Sequence, residues 1–271
     1  MHLSGLYLYP VKSLRGIAVA SASLDAFGLV HDRRFLVVDD RGRFLTQRAL
    51  PRMALITTAL TGGTLILRNP HHGSAAIGLD EPGAPVTVQI WRDTVEAVDC
   101  GVEIAVWLSD FLRQPCRLVR MGERHHRSVH KAAARPGDQF AYADGAPLLV
   151  LSEASLAGLN DRLVARGEEP VPMDRFRPNL VIAGCPAHAE DGWSGFRLGD
   201  LTFRCAGKSD RCTITTTNQL TGERAGPEPL RTLAAYRRDP ALDPTAVWFG
   251  ANYINASKSG LIRAGDPVVV D

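Results

Sequence analysis

The chain of 271 residues carries 31 Lys+Arg against 29 Asp+Glu, a net charge of +2, with 45% apolar and 22% charged residues. These ordinary globular values exclude a disordered chain and a nucleic-acid binder that works by bulk charge. No apolar run approaches the ~20 residues that a bilayer span needs, and the length allows one large domain or two small ones.

The amino terminus, MHLSGLYLYPVKSLRG, has no basic stretch leading into a long apolar one, so it reads as a first strand and not as a removable leader. The cysteines are Cys100, Cys116, Cys185, Cys205 and Cys212. Their odd number and the lack of a C-x-x-C pair predict a reduced, cytoplasmic protein.

Short strands dominate the first part. Gly5–Pro10, Phe35–Asp39, Leu55–Leu60, Thr64–Arg68 and Val86–Arg92 read as strands, with a hairpin signal at Asp40-Arg41-Gly42. Val102–Arg113 is the first helix, with Ile104, Leu108, Phe111 and Leu112 on one face. A polar stretch from Arg120 to Gly137 suggests a domain boundary near residue 120. Beyond it, Pro147–Leu151 reads as a buried strand entering a helix capped by Ser152, striped by Leu156, Leu159 and Leu163 and closed by Gly167. Asn179–Ala183, Phe196–Phe203, Thr213–Thr217 and Val268–Val270 read as strands, and Pro229 opens a short helix through Tyr236. Many short strands with three helices predict barrel-like β structure with helices packed outside.

Five stretches could carry chemistry. In KSDRCTITTTNQLTG, Cys212 follows Arg211 with Lys208 nearby, and adjacent cations favour the thiolate that binds soft metals or attacks electrophiles. A buried core cysteine among unrelated charges is the other reading. In YPVKSLRG, Lys12, Ser13 and Arg15 sit in a turn with the donors that a phosphate needs, although basic turns are commonly just solvated. The arginines of His31–Phe35 (HDRRF) and Asp174–Asn179 (DRFRPN) precede strands and suit phosphate or a neighbouring carboxylate equally. Asn179 adds an amide able to read a heterocycle edge. His125, His126 and His130 lie among Arg124, Arg127 and Lys131, which oppose a metal cation, so this stretch is expected to be a solvated loop near a substrate entrance or a docking segment.

Together, in order and nearly end to end, YPVKSLRG, DRRF, FLTQRALPRM, DQFAYADGAPLLVLSEASL, FRPNLVIAG, DRCTITTTNQLTG, PEPLRTLAAYRR and WFGANY…IRAGDPV resemble the MOSC family. More closely, they resemble its two-part members, the mitochondrial amidoxime-reducing components and their bacterial relatives. The resemblance implies an α+β, mainly β fold of two β-barrel-like domains, 1–120 (MOSC N-terminal) and 121–271 (MOSC), with a few packed helices and a cofactor cleft between them.

The resemblance further implies a molybdenum cofactor, Mo-molybdopterin, whose metal is held by the dithiolene and by Cys212. It maps the phosphate clamp to Lys12, Ser13, Arg34 and Arg177, and the pterin contacts to Asp144, Gly145, Ala146, Asn179, Arg211 and Asn252. Asp210, beside the metal ligand, is expected to offset Lys208 and Arg211, and Asp144 to carry protons. The family is also associated with pyridoxal phosphate binding. The implied activity is reduction of N-oxygenated substrates by a separate electron donor of the flavin reductase, cytochrome or ferredoxin type, since no ferredoxin or Rossmann fingerprint occurs in the chain. Cofactor binding or sulfur carriage during cofactor maturation is the alternative that the resemblance leaves open.

Overall fold

The computed structural model describes residues 1–271 and is mainly β, with three α-helices. An eight-stranded sheet runs in the order Val268–Val270, Gly195–Leu198, Leu201–Asp210, Trp248–Asn255, Leu148–Ser152, Leu180–Ala183, His2–Leu8 and Ile17–Ala18. Its one parallel pair, Leu148–Ser152 with Leu180–Ala183, is joined through helix α2 (Glu153–Val164), the crossover that a parallel connection requires. Ser152 caps α2 by accepting the Ser155 N–H, and Leu159 and Leu163 are fully buried, as the stripe predicts.

The first thirty residues join the core of this large sheet. Leu3, Leu6, Leu8, Ala22, Leu24 and Leu29 pack with Leu148, Leu180, Phe196, Phe203 and Tyr253. The amino-terminal segment therefore belongs to the packing of the carboxy-terminal half. Residues Phe35–Val38, Arg117–Met121, Asp93–Asp99 and Pro85–Ile90 form a separate four-stranded sheet. Helix α1 (Val102–Leu112) closes a second core there, burying Ile104, Leu108, Phe111 and Leu112 against Phe35, Val37, Met53 and Leu118.

Three local expectations change. Thr213–Thr217 is not a strand: Thr213–Thr216 is a 3-10 turn, because the Thr215 and Thr216 hydroxyls donate to the carbonyls of Cys212 and Thr213 instead of leaving them to a strand partner. Phe196–Phe203 divides into the hairpin Gly195–Leu198 and Leu201–Asp210, with Gly199 at a positive φ between them. The hairpin signal at Asp40-Arg41-Gly42 turns the chain, but Phe35–Val38 finds its long partner in Arg117–Met121 and meets Phe44 only at an isolated bridge. No helix is long and apolar enough to cross a membrane.

Candidate functional site

One cleft gathers residues from distant segments. Lys12 and Ser13 follow the first strand, Arg33 and Arg48 come from the next loops, and Asp144, Gly145 and Ala146 precede Leu148–Ser152. Arg177 and Asn179 lead into Leu180–Ala183, Asp210, Arg211 and Cys212 end Leu201–Asp210, and Asn252 lies on the adjacent strand. Every expected site residue lines this cleft except Arg34.

Arg34 faces away. Its Nη2 donates to both carboxylate oxygens of Asp25, at 2.7 and 2.8 Å, and its guanidinium lies over Phe27. The cleft holds Arg33 instead. Arg33 lies in the turn just before Phe35–Val38, and its left-handed backbone sends its side chain into the cleft while the side chain of Arg34 leaves on the other side. Arg33 donates to Asn179 Oδ1 at 2.9 Å and pairs with Asp32.

Local backbone geometry aims these groups. Ser13, Arg33 and Arg177 all have left-handed φ, at 66°, 49° and 57°. Such conformations in non-glycine residues persist where surrounding structure holds them, and they concentrate at functional sites. The holding element is Tyr9, which the sequence reading passed over. Its ring contacts the guanidinium of Arg33 at 4.5 Å and that of Arg177 at 4.3 Å, while its hydroxyl donates to Pro178 O. The aromatic residue just before the Pro-Val-Lys-Ser turn was the available signal.

Five cations face two carboxylates along the cleft. Burial draws the Lys12 ammonium down to about 8, although Asp144 opposes the shift. Lys12 donates to Tyr142 O at 2.8 Å and to Asp144. Partial desolvation by the cleft walls works to raise the half-exposed Asp144 carboxyl, but Lys12 and Arg48, with hydrogen bonds from Lys12 and Trp91, outweigh it and hold it well below the usual carboxylate range. Burial lowers Arg177 to about 10, still charged at neutral pH.

Three expected site residues are committed to the protein itself. Asn179 is 1% exposed, and its amide accepts from Arg33 and Leu149 N–H while donating to Tyr7 O. It supports the cleft wall and leaves little of its amide for a heterocycle. Asp210 accepts the Val247 N–H at 2.9 Å, and Lys208 reaches Asp239 instead. Asn252 donates to Lys208 O.

Cys212 is a free, half-buried thiol in extended backbone, at the point where the long strand gives way to the 3-10 turn. Beside it, Arg211 donates to Phe176 O and Ser209 Oγ, yet its buried Nε has no partner. A cationic cleft with an unpartnered buried donor suits an anionic ligand. A soft sulfur donor beside it suits a soft metal whose other ligands arrive with the cofactor. The residues present thus fit a phosphorylated, sulfur-ligated metal cofactor.

The histidine stretch is not a solvated loop throughout. His125 is 5% exposed, sits edge-on to Phe27 and Tyr142, and uses Nε2 toward Phe140 O. Arg127 is buried on Asp93 and on the carbonyls of Ala141 and Ala143, and Arg124 pairs with Glu96. The enclosure comes from residues outside the stretch, Phe27 and Tyr142 around His125 and Phe140 beneath Arg127, which a count of local charges does not reveal.

Residues 1–115 match the MOSC N-terminal beta barrel domain and residues 137–269 the MOSC domain. Mitochondrial amidoxime-reducing component 1 of Homo sapiens is 39% identical over 97% of this chain and 81% of its own length. The Xenopus laevis protein of the same name is 36% identical over 98% and 81%. Mitochondrial amidoxime reducing component 2 of Homo sapiens is 34% identical over 97% and 81%.

Proposed function

The chain belongs to the MOSC family, with the family's N-terminal β-barrel and MOSC domains in one polypeptide, and from that premise we propose that it is a molybdenum-cofactor-dependent reductase of N-hydroxylated substrates such as amidoximes. The observation that carries this reading is the half-buried Cys212 thiol in a cleft where Lys12, Arg33, Arg177 and Arg211 converge.

Cys212 Sγ would bind the metal, and Lys12, Ser13, Arg33 and Arg177 would hold the cofactor's phosphate. When bound, the cofactor supplies two-electron oxygen-atom chemistry. The overall conversion takes the N-hydroxylated compound, two electrons and two protons to the N–H compound and water. The chain's part is to orient the cofactor and to manage protons. Lys12 Nζ, drawn down by burial to about 8, holds a transferable proton at neutral pH. Asp144, kept ionised, accepts the Lys12 hydrogen bond and so orients that proton donor in the cleft; it does not act as the acid. Electrons come from a separate donor protein.

The test is direct. The purified protein is assayed for molybdenum and for benzamidoxime reduction by reduced methyl viologen. Near-stoichiometric metal with turnover to benzamidine supports the reading. Metal-loaded protein with no turnover of amidoximes, hydroxylamines or N-oxides overturns it.

A further inference from the structure

The cleft opens outward past Asp144 and Gly145, which also line a second cavity walled by Phe44, Trp91 and Lys131. Trp91 occupies the tight turn between Pro85–Ile90 and Asp93–Asp99 with a φ of 55°, rare for so bulky a residue. Phe44 packs against it at 5.1 Å, and its indole Nε1 donates to Asp144 Oδ1 at 3.0 Å. The ring is nevertheless 43% exposed.

On that ring lies a side chain of the protein itself. The Arg48 guanidinium sits 4.6 Å from the Trp91 centroid and 3.5 Å from Asp144 Oδ2. A planar, delocalised cation between an aromatic face and a carboxylate is a favourable arrangement. Arg48 is held there loosely: its head group makes that one long contact, and exposed ion pairs of this kind contribute little. Its backbone, by contrast, is pinned, with the carbonyl accepting from Arg224 and the N–H donating to Thr46. The side chain can leave without the loop moving. Exchanging it for another planar cation leaves the local charge unchanged, so neighbouring Lys12 and Lys131 oppose the newcomer no more than they oppose Arg48.

We propose that the Trp91 ring and the Asp144 carboxylate form a subsite for a planar, delocalised cation, filled by Arg48 in this structure and surrendered to an amidinium or guanidinium group. This rests on the reductase reading and adds an asymmetry to it. An N-hydroxyamidine is a much weaker base than the amidine made from it, so the substrate is neutral at pH 7 and the product is a cation. The subsite therefore holds product more tightly than substrate, and amidines inhibit.

The experiment is titration calorimetry of the full-chain holoenzyme with benzamidinium chloride, with benzylammonium chloride as the non-planar cation. Wild type is expected to bind benzamidinium and to prefer it. Trp91→Leu is expected to weaken binding roughly tenfold, and Trp91→Phe less, because a ring face remains. Arg48→Met, which removes the competing occupant, is expected to tighten binding about threefold or more. Circular dichroism checks that the Trp91 variants fold, and Arg48→Met, at a part-exposed side chain, keeps the test open if they do not. Equal or weaker binding by Arg48→Met, or equal binding of the two cations, overturns the subsite. Viologen-driven benzamidoxime turnover on the same protein separates the two readings: turnover without benzamidinium binding sinks the subsite alone, and binding without turnover sinks the reductase reading alone.

Discussion

Arg33 and Arg34 are consecutive residues serving opposite sides of the chain: Arg33 lines the cleft and bonds Asn179, while Arg34 grips Asp25 behind it. Their removal should therefore fail in different ways. Arg33→Ala is expected to lower cofactor affinity by one to two decades, the effect of losing a charge-assisted contact of about 1.5–3 kcal/mol. Arg34→Ala is expected to leave molybdenum per folded protein unchanged and to cost about 1–2 kcal/mol of stability, mainly through lost packing of its largely buried side chain over Phe27, since Asp25 is part-exposed. Metal content under limiting cofactor and thermal unfolding distinguish them, and the reverse pattern would return the clamp to Arg34.

Cys212→Ala is expected to abolish molybdenum retention and turnover while costing about 1 kcal/mol or less in stability, since only a small half-buried group is lost. Metal analysis, viologen assay and unfolding on one preparation check this. Full turnover by the variant removes the ligand assignment.

The elements that the sequence made legible are those with a strong local signal. The α1 and α2 stripes, the Ser152 cap and the strands bounded by glycine and proline follow from periodicity and backbone chemistry. Most of the cleft was legible from ordered motifs. Which arginine of His31–Phe35 turns inward was not, because that depends on the left-handed φ of Arg33 and on the Tyr9 ring it stacks against. Nor was Trp91, whose role comes from an indole contact to a residue 53 positions away. The Asp93–Asp99 strand was harder to read because Thr94 and Val98 break strict polar–apolar alternation in DTVEAVD, and its pairing with Pro85–Ile90 and Arg117–Met121 decides its form.

His125 makes stability depend on acid pH. Burial lowers its pKa from 6.5 to about 4, so it is neutral in the fold and takes up a proton in the unfolded chain. Its contribution is complete above pH 6.5 and is lost as pH falls from 6.5 to 4, by about 3 kcal/mol at most. His188, also lowered to about 4 by burial, acts in the same window. His125→Gln, which keeps a donor for Phe140 O, is expected to flatten the slope of unfolding free energy against pH between 6.5 and 4. An unchanged slope in urea titrations across that range would show that His125 is already charged in the native state.

NADH alone should not drive turnover. The one β-α-β crossover, through α2, is where a dinucleotide phosphate would meet a helix amino terminus. Here the turn reads Ser152-Glu153-Ala154-Ser155, with no glycine to admit a phosphate. The position is also already filled by an anion, because Glu190 Oε1 accepts the Ser152 N–H at 3.1 Å and the Ser155 hydroxyl at 2.7 Å. A pyrophosphate would have to displace a fully buried carboxylate. Reduced viologen, or a separate donor protein, is expected to supply the electrons. Raising salt should slow donor-driven turnover and leave viologen-driven turnover unchanged, since screening acts on the protein encounter. That slope should be shallow if residues 120–135 form the docking face, because Arg124 and Arg127 are already neutralised by Glu96 and Asp93. Steady NADH oxidation by the isolated chain, with benzamidoxime as the only acceptor, would refute the requirement for a donor.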